Sequence, residues 1–135
     1  MIVESCIPVV PSADLEKSLR FWVEGIGLSM DRPMYQDGRL IGCMVHNEQL
    51  YFWLNRRAGS SPAKPENYEG LRLYWGPSDI HEFRERLLRL GFAASEIVDR
   101  DYGQREFFVT DDDGFFHTFG VAINQGLPRE PDSAV

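Results

Sequence analysis

The sequence predicts an α+β protein: two tandem βαβββ modules forming an incomplete, cleft-containing β-barrel with helices on the outside. Three observations predict it. The order strand, capped helix closed by glycine, then three strands occurs twice in 135 residues. Within each half, several strands are joined by turns so short that they imply antiparallel pairing. Residues 104–122 read QREFFVT, then DDDG, then FFHTFGVA, the clearest hairpin in the chain. Neither half buries much alone, so the two sheets are expected to turn their helices outward and enclose a cleft, the default binding site.

Residues 2–10 read as a short strand ended by Pro11. Asp14 caps the helix that follows, Leu15, Leu19, Trp22 and Ile26 mark its apolar face, and Gly27 ends it. Three strands come next, over residues 28–35, 39–45 and 49–55. The first turn is Gln36-Asp37-Gly38 and the second His46-Asn47-Glu48. Residues 56–68, with Gly59-Ser60-Ser61-Pro62 and Lys64-Pro65, lack periodicity and read as an exposed linker. The pattern then restarts with a strand over 71–75. A second helix is capped by Asp79, faced by Ile80, Phe83, Leu87 and Leu90, and ended by Gly91. A strand over 92–98 and the hairpin complete it. The modules thus span residues 1–55 and 69–123, within one domain, and a frayed tail covers 124–135. Asp14 corresponds to Asp79, and Gly27-Leu28 to Gly91-Phe92.

Composition narrows the function classes. Hydrophobic residues at 43% are ordinary for a globular protein, but aromatics at 13% are abundant and fall in the strand-like runs. The net charge of −7 repels phosphate backbones and anionic lipid, so neither nucleic acid nor a membrane is an expected partner. Two cysteines, Cys6 and Cys43, cannot make a zinc site by themselves and read as free thiols in apolar runs. No apolar stretch approaches the roughly 18 residues of a bilayer span, and the start of the chain lacks a basic n-region. A cytoplasmic, reduced protein is expected.

The run Pro8-Val9-Val10-Pro11-Ser12-Ala13-Asp14-Leu15, followed by Phe21-Trp22, Gly27-Leu28 and later Asp111-Asp112-Asp113-Gly114, resembles the vicinal-oxygen-chelate superfamily. That superfamily contains glyoxalases, extradiol dioxygenases, fosfomycin-resistance enzymes and bleomycin-resistance proteins, and the resemblance covers residues 2–123. It is similar above all to the bleomycin-resistance-protein-like, metal-free group. The superfamily's catalysts hold a divalent metal with His and Glu side chains from the inner sheet faces. With the capping Asp and the turn Gly as rulers, those positions fall on Ile7, Arg72 and Thr118, and a further one among residues 49–53, where Gln, Tyr or Trp stands. Ile has no donor atom, Arg is a fixed cation, and a lone Thr hydroxyl is a poor ligand. The resemblance therefore implies no metal, no cofactor and no catalytic residue, and a sequestering protein rather than a catalyst. It also implies a homodimer in which modules can pair across subunits.

The histidines do not supply a metal site instead: His46 falls in a turn, His81 early in a helix, and His117 one residue off the ligand phase, toward the helix layer. Nor does the Asp run make a calcium loop, since Val109 and Gly120 stand where acidic ligands belong. Carrying one phase through every strand gives an inner face of Gln49, Tyr51, Trp53, Arg72, Tyr74, Glu106, Phe108 and Thr118. Of these, Tyr51, Trp53, Arg72, Tyr74, Glu106, Phe108 and Thr118 are the candidate ligand-binding residues. Stacking and cation–π contacts would hold a planar, partly polar organic molecule, and the Arg and Glu would orient it. The aromatics either line open volume or fill the space between sheets or a dimer seam. Arg72 and Glu106 would, if paired, offset each other's desolvation. Residues 102–105 precede the hairpin and would rim the cleft as a mobile lid, which Gly103 allows. Leu50, Phe52, Leu54, Leu71, Leu73, Trp75, Phe107 and Val109 are expected beneath the helices. The expected function is metal-independent binding of a small planar or aromatic ligand. The alternative is a glyoxalase-like lyase, isomerase or dioxygenase with a metal or general-base site outside these positions, Glu106 being the candidate base.

Overall fold

A computed structural model describes residues 2–56 and 72–123. The chain is α+β and forms two compact units. One comprises Met1–Gly70 with Thr110–Phe116, the other Leu71–Val109 with His117–Val135. The expected linker, Arg56 aside, and the expected tail lie outside the described residues, as does Leu71.

In the first unit, β1 (Val9–Ser12), β2 (Ser29–Gln36), β3 (Arg39–His46) and β4 (Tyr51–Arg56) form a sheet of order β1-β4-β3-β2. β1 runs parallel to β4, with Val9 opposite Trp53, and the two hairpins are antiparallel. The first strand differs from expectation: residues 2–8 are not strand, and Pro11 lies inside β1 rather than ending it. β1 is an edge strand, where a missing N–H leaves no ladder bond unmade. Asp37 and Gly38 both have positive φ, +51° and +76°, as the two-residue hairpin turn requires.

Asp14 caps α1 (Leu15–Leu19) by accepting from the Lys17 amide. The helix continues as a π-helical turn over Arg20–Gly25, with the Ile26 amide bonded to the Phe21 carbonyl. That wider turn changes the buried stripe. Leu15, Ser18, Phe21 and Trp22 are buried, while Leu19 and Ile26, expected on the face, are only half-buried. Trp22 packs edge-on to Phe21 at 5.5 Å and against Phe52 at 5.2 Å. Gly27, at φ +95°, turns the chain so that Leu28 is buried. Buried Cys43 has its thiol pushed up to about 11 by desolvation, whereas Cys6 is exposed rather than in an apolar run's interior.

The turn of the last hairpin groups with this first unit. The Asp111 carboxylate accepts from the amides of Asp113 and Phe115, both at 2.9 Å. Asp113 accepts from the Ala13 amide at 2.9 Å, and Asp112 makes a bidentate ion pair with Arg20. All three acids of the run are thus occupied by protein donors.

The second unit repeats the order. β5 (Leu73–Trp75), β6 (Val98–Asp99), β7 (Gln104–Thr110) and β8 (Phe116–Ala122) form a sheet of order β5-β8-β7-β6, with β5 parallel to β8. The strand expected over residues 92–98 is reduced to β6 and a single bridge from Ala94 to Val109. Asp79 caps α2 (Ile80–Arg89), and Ile80 and Leu87 are buried beneath it. Phe83 of α2 meets Phe119 at 4.9 Å and Phe107 at 6.3 Å, and those two rings stack at 5.1 Å. His117 lies in this layer, as its phase implies, and accepts from the Trp75 indole N–H at 3.1 Å. Each such large side chain fully buried contributes roughly 1.5–3 kcal/mol.

The expected helix-facing set is accordingly buried at Phe52, Leu54, Phe107 and Val109 and half-buried at Leu73 and Trp75. Leu50 is the exception. It sits in the β3–β4 turn, exposed, its amide donating to the Asn47 side chain. Among the described residues no helix is long and apolar enough to cross a membrane.

Candidate functional site

Alternation along β7 and β5 places Glu106 and Tyr74 on the sheet face opposite α2, and the two meet there. Glu106 is only 2% exposed. Burial of a carboxylate is costly unless donors surround it, and here they do. The Tyr74 hydroxyl donates to Oε2 at 2.5 Å, the Tyr102 hydroxyl donates to Oε1 at 2.7 Å, and the Arg100 guanidinium stands 3.5 Å from Oε1. Glu106 is therefore compensated by Arg100 and two phenols. The Tyr74 hydroxyl also lies 3.2 Å from Gln104 Oε1.

The rings stay available although their hydroxyls are held. Tyr74 is 55% exposed and Tyr102 64% exposed. Burial of its hydroxyl end, reinforced by Glu106, pushes the Tyr74 phenol well above the ordinary tyrosine range. The hydrogen bond to Glu106 raises Tyr102 as well. Both therefore remain neutral phenols at physiological pH.

Tyr74 reaches Glu106 because β8 has a glycine beneath it. A Cβ on Gly120 would overlap the Tyr74 hydroxyl, and it would come within 2.7 Å of the ring carbon that bears it and 3.1 Å of Glu106 Cγ. Tyr102 is delivered by the tight β6–β7 turn, closed by the Gly103 amide donating to the Arg100 carbonyl, with Gly103 at φ +91°. The rim foreseen over residues 102–105 is thus tied down. Tyr102 is bonded to Glu106, Gln104 opens β7, and Arg105 pairs with Asp99 at 2.7 Å. Phe108 follows Glu106 on the same face, with the Arg100 guanidinium 5.3 Å above its ring.

Of the sequence-predicted residues, the second unit thus brings together Tyr74, Glu106 and Phe108. Thr118, half-buried, lies opposite Tyr74 in the β5–β8 register. Arg72 is exposed just before β5. In the first unit, Tyr51 and Trp53 share one face of β4. Tyr51 stacks on His46 at 5.8 Å, and the Trp53 ring lies across Gly42, where a Cβ would be 3.3 Å from it. Gln49, expected on that strand, sits in the turn before it, its amide bonded to Asn47. Sequence reasoning missed Arg100 and Gly120, and had Tyr102 and Gln104 only as a rim. An isolated glycine within a strand pattern is a sign of close approach, so Gly120 was the findable one.

A divalent metal does not fit the transferred positions. Ile7 lies before β1, Arg72 is exposed and Thr118 offers one hydroxyl. Among the described residues no group of three or more His, Cys, Asp or Glu could hold an ion.

The sequence matches no protein-family model and no curated protein. The fold, by contrast, has many solved counterparts. A glyoxalase family protein from Enterococcus faecalis superposes with a TM-score of 0.74 at 18% identity, covering 90% of this chain and 100% of its own. A glyoxalase-related enzyme from Clostridium phytofermentans gives 0.72 at 21% identity, covering 91% and 98%. The genomically encoded fosfomycin resistance protein FosX from Listeria monocytogenes gives 0.70 at 15% identity, covering 89% and 93%. This chain therefore shares its fold of two βαβββ modules with glyoxalase-family and fosfomycin-resistance proteins.

Proposed function

We propose that this chain is a metal-independent binding protein that sequesters a planar or aromatic small molecule. In this reading it acts as a cytoplasmic homodimer, and its modules 1–55 and 69–123 are joined by the linker 56–68. The observation that carries the reading is the exposed Tyr74 and Tyr102 rings held by one buried carboxylate. Fixing both hydroxyls removes rotamer freedom before a ligand arrives, so less entropy is lost on binding. Aromatic faces supply stacking, and Arg100 over Phe108 extends the same surface. The first unit adds Tyr51 and Trp53 as a second aromatic face.

Titration calorimetry of the full chain with a panel of planar aromatics tests this. Micromolar to low-millimolar binding without added metal is expected, weakened several-fold by Tyr74→Ala. Absence of heat from every member of the panel would defeat the proposal.

A catalytic reading is favoured by one observation, the buried carboxylate itself, and by the glyoxalase-related enzyme that shares the fold. Glu106 would then be the general base. Against this, Glu106 is buried beneath the two phenols that donate to its oxygens, so a substrate proton has to reach it past the tyrosines. Turnover that is lost in Glu106→Gln would restore this reading, and about one equivalent of tightly held divalent ion in the purified protein would restore the metal-dependent form of the enzyme alternative.

A further inference from the structure

We propose that the Tyr74–Glu106–Tyr102 face selects planar aromatics that carry a hydroxyl, phenols in preference to aromatic cations or carboxylates. Tyr102 is the oxygen that accepts the ligand's proton. The proposal rests on the binding-protein reading above and names the ligand class for that site.

The site is rich in acceptors and short of protons. Glu106 takes the protons of both phenols. Tyr74 has one proton, and at 2.5 Å it serves Glu106, so Gln104 Oε1 at 3.2 Å is left competing for it. Tyr102, having donated inward, has its own oxygen left as an acceptor on a residue that is 64% exposed, and among the described residues nothing donates onto that oxygen. A donor on the ligand completes the set. Donating a proton to the carboxylate makes each phenol oxygen a better acceptor, since hydrogen bonds in a chain polarise one another.

The other ligand charges meet obstacles. An ammonium group cannot reach Glu106, which is 2% exposed beneath the phenols, and it would meet the Arg100 guanidinium, which already stands by the carboxylate at 3.5 Å. A carboxylate would face the oxygens of Tyr74, Tyr102 and Gln104. Among the described residues, the cation that stands against Glu106, Arg100, is engaged by that carboxylate and laid over Phe108.

Equilibrium dialysis of the full chain against four probes of one shape decides the matter: 2-naphthol, 2-methoxynaphthalene, 2-naphthylmethylammonium and 2-naphthoate. Naphthol is expected to bind about tenfold more tightly than its methyl ether, the value of one hydrogen bond of about 1.4 kcal/mol, and more tightly than either ion. In Tyr102→Phe, which leaves Tyr74 and Arg100 on Glu106, both probes should lose some affinity because the ring is no longer anchored, and the ratio of naphthol to ether affinity should shrink several-fold. Equal binding of naphthol and ether overturns the hydroxyl selection and leaves the aromatic-binding reading standing. Tightest binding of the ammonium or of the carboxylate overturns it too, as does a Tyr102→Phe chain that keeps the full naphthol advantage. Retention of none of the four removes both readings together.

Discussion

Gly120 is where one absent side chain sets the chemistry of its neighbours. The Tyr74 hydroxyl occupies the place a Cβ would take, so Gly120→Ala must push the flexible tyrosine off Glu106. The expected stability loss is about 1 kcal/mol, one hydrogen bond, together with a fall of the Tyr74 ionisation toward the ordinary tyrosine range. Alkaline titration of phenolate absorbance measures it, and an unchanged titration would contradict the geometry. The same experiment on Glu106→Gln separates causes. Tyr102, raised first by its bond to Glu106, should return to ordinary behaviour, while Tyr74, raised first by desolvation, should return only part of the way. The sign for stability follows. Both phenols are favoured in the folded chain, so their contribution is whole below about pH 10, the free tyrosine value, and is lost as pH rises through the higher folded values. Glu106→Gln should make that alkaline decline shallower. Tyr74 and Glu106 were legible in the sequence because a strand's period of two assigns faces without any tertiary knowledge. Arg100 was not, because its role depends on a turn, and Gln104, in phase with Glu106, showed only as part of the rim because its contact with Tyr74 depends on which strands adjoin.

At the scale of one element, the Asp-rich turn shows the same division between what spacing reveals and what pairing adds. That residues 111–114 turn the chain is evident from composition, with Gly114 at φ +87°. That the three acids do different work is not, since Ala13 and Arg20, the partners of Asp113 and Asp112, lie 100 and 92 residues away. Asp111 holds two amides of its own turn and is buried, so Asp111→Ala should cost about 2 kcal/mol by stranding them. Asp112→Ala breaks only a partly exposed ion pair with Arg20 and should cost less than about 1 kcal/mol. Urea denaturation of the two variants gives the order, and a reversed order would show that the ion pair, not the side-chain bonding, holds the turn. The π-helical turn after α1 escaped the sequence for a related reason. The wider turn adds Phe21 to the buried stripe beside the expected Trp22 and takes Leu19 and Ile26 partly off it, a shift that no 3.6-residue pattern can display.

Across the whole molecule the two modules repeat strand order and helix caps but not chemistry. Asp14 and Asp79 cap in the same way and both sheets run in the same order. Yet the first face carries Tyr51 on His46 and Trp53 on Gly42, and the second carries a carboxylate between two phenols. Fold repetition therefore does not imply two equal sites. If the second unit holds the ligand by itself, 2-naphthol at 100 times its dissociation constant stabilises the chain by about 2.7 kcal/mol. Amide hydrogen exchange then locates that stabilisation. Exchange should slow in β5, β7, β8 and the Arg100–Gly103 turn and stay unchanged in β2, β3 and β4. Slowing at Tyr51 and Trp53 with none at Glu106 would move the site to the first unit. The phenol oxygens would then have no part in choosing the ligand, whatever the dialysis affinities.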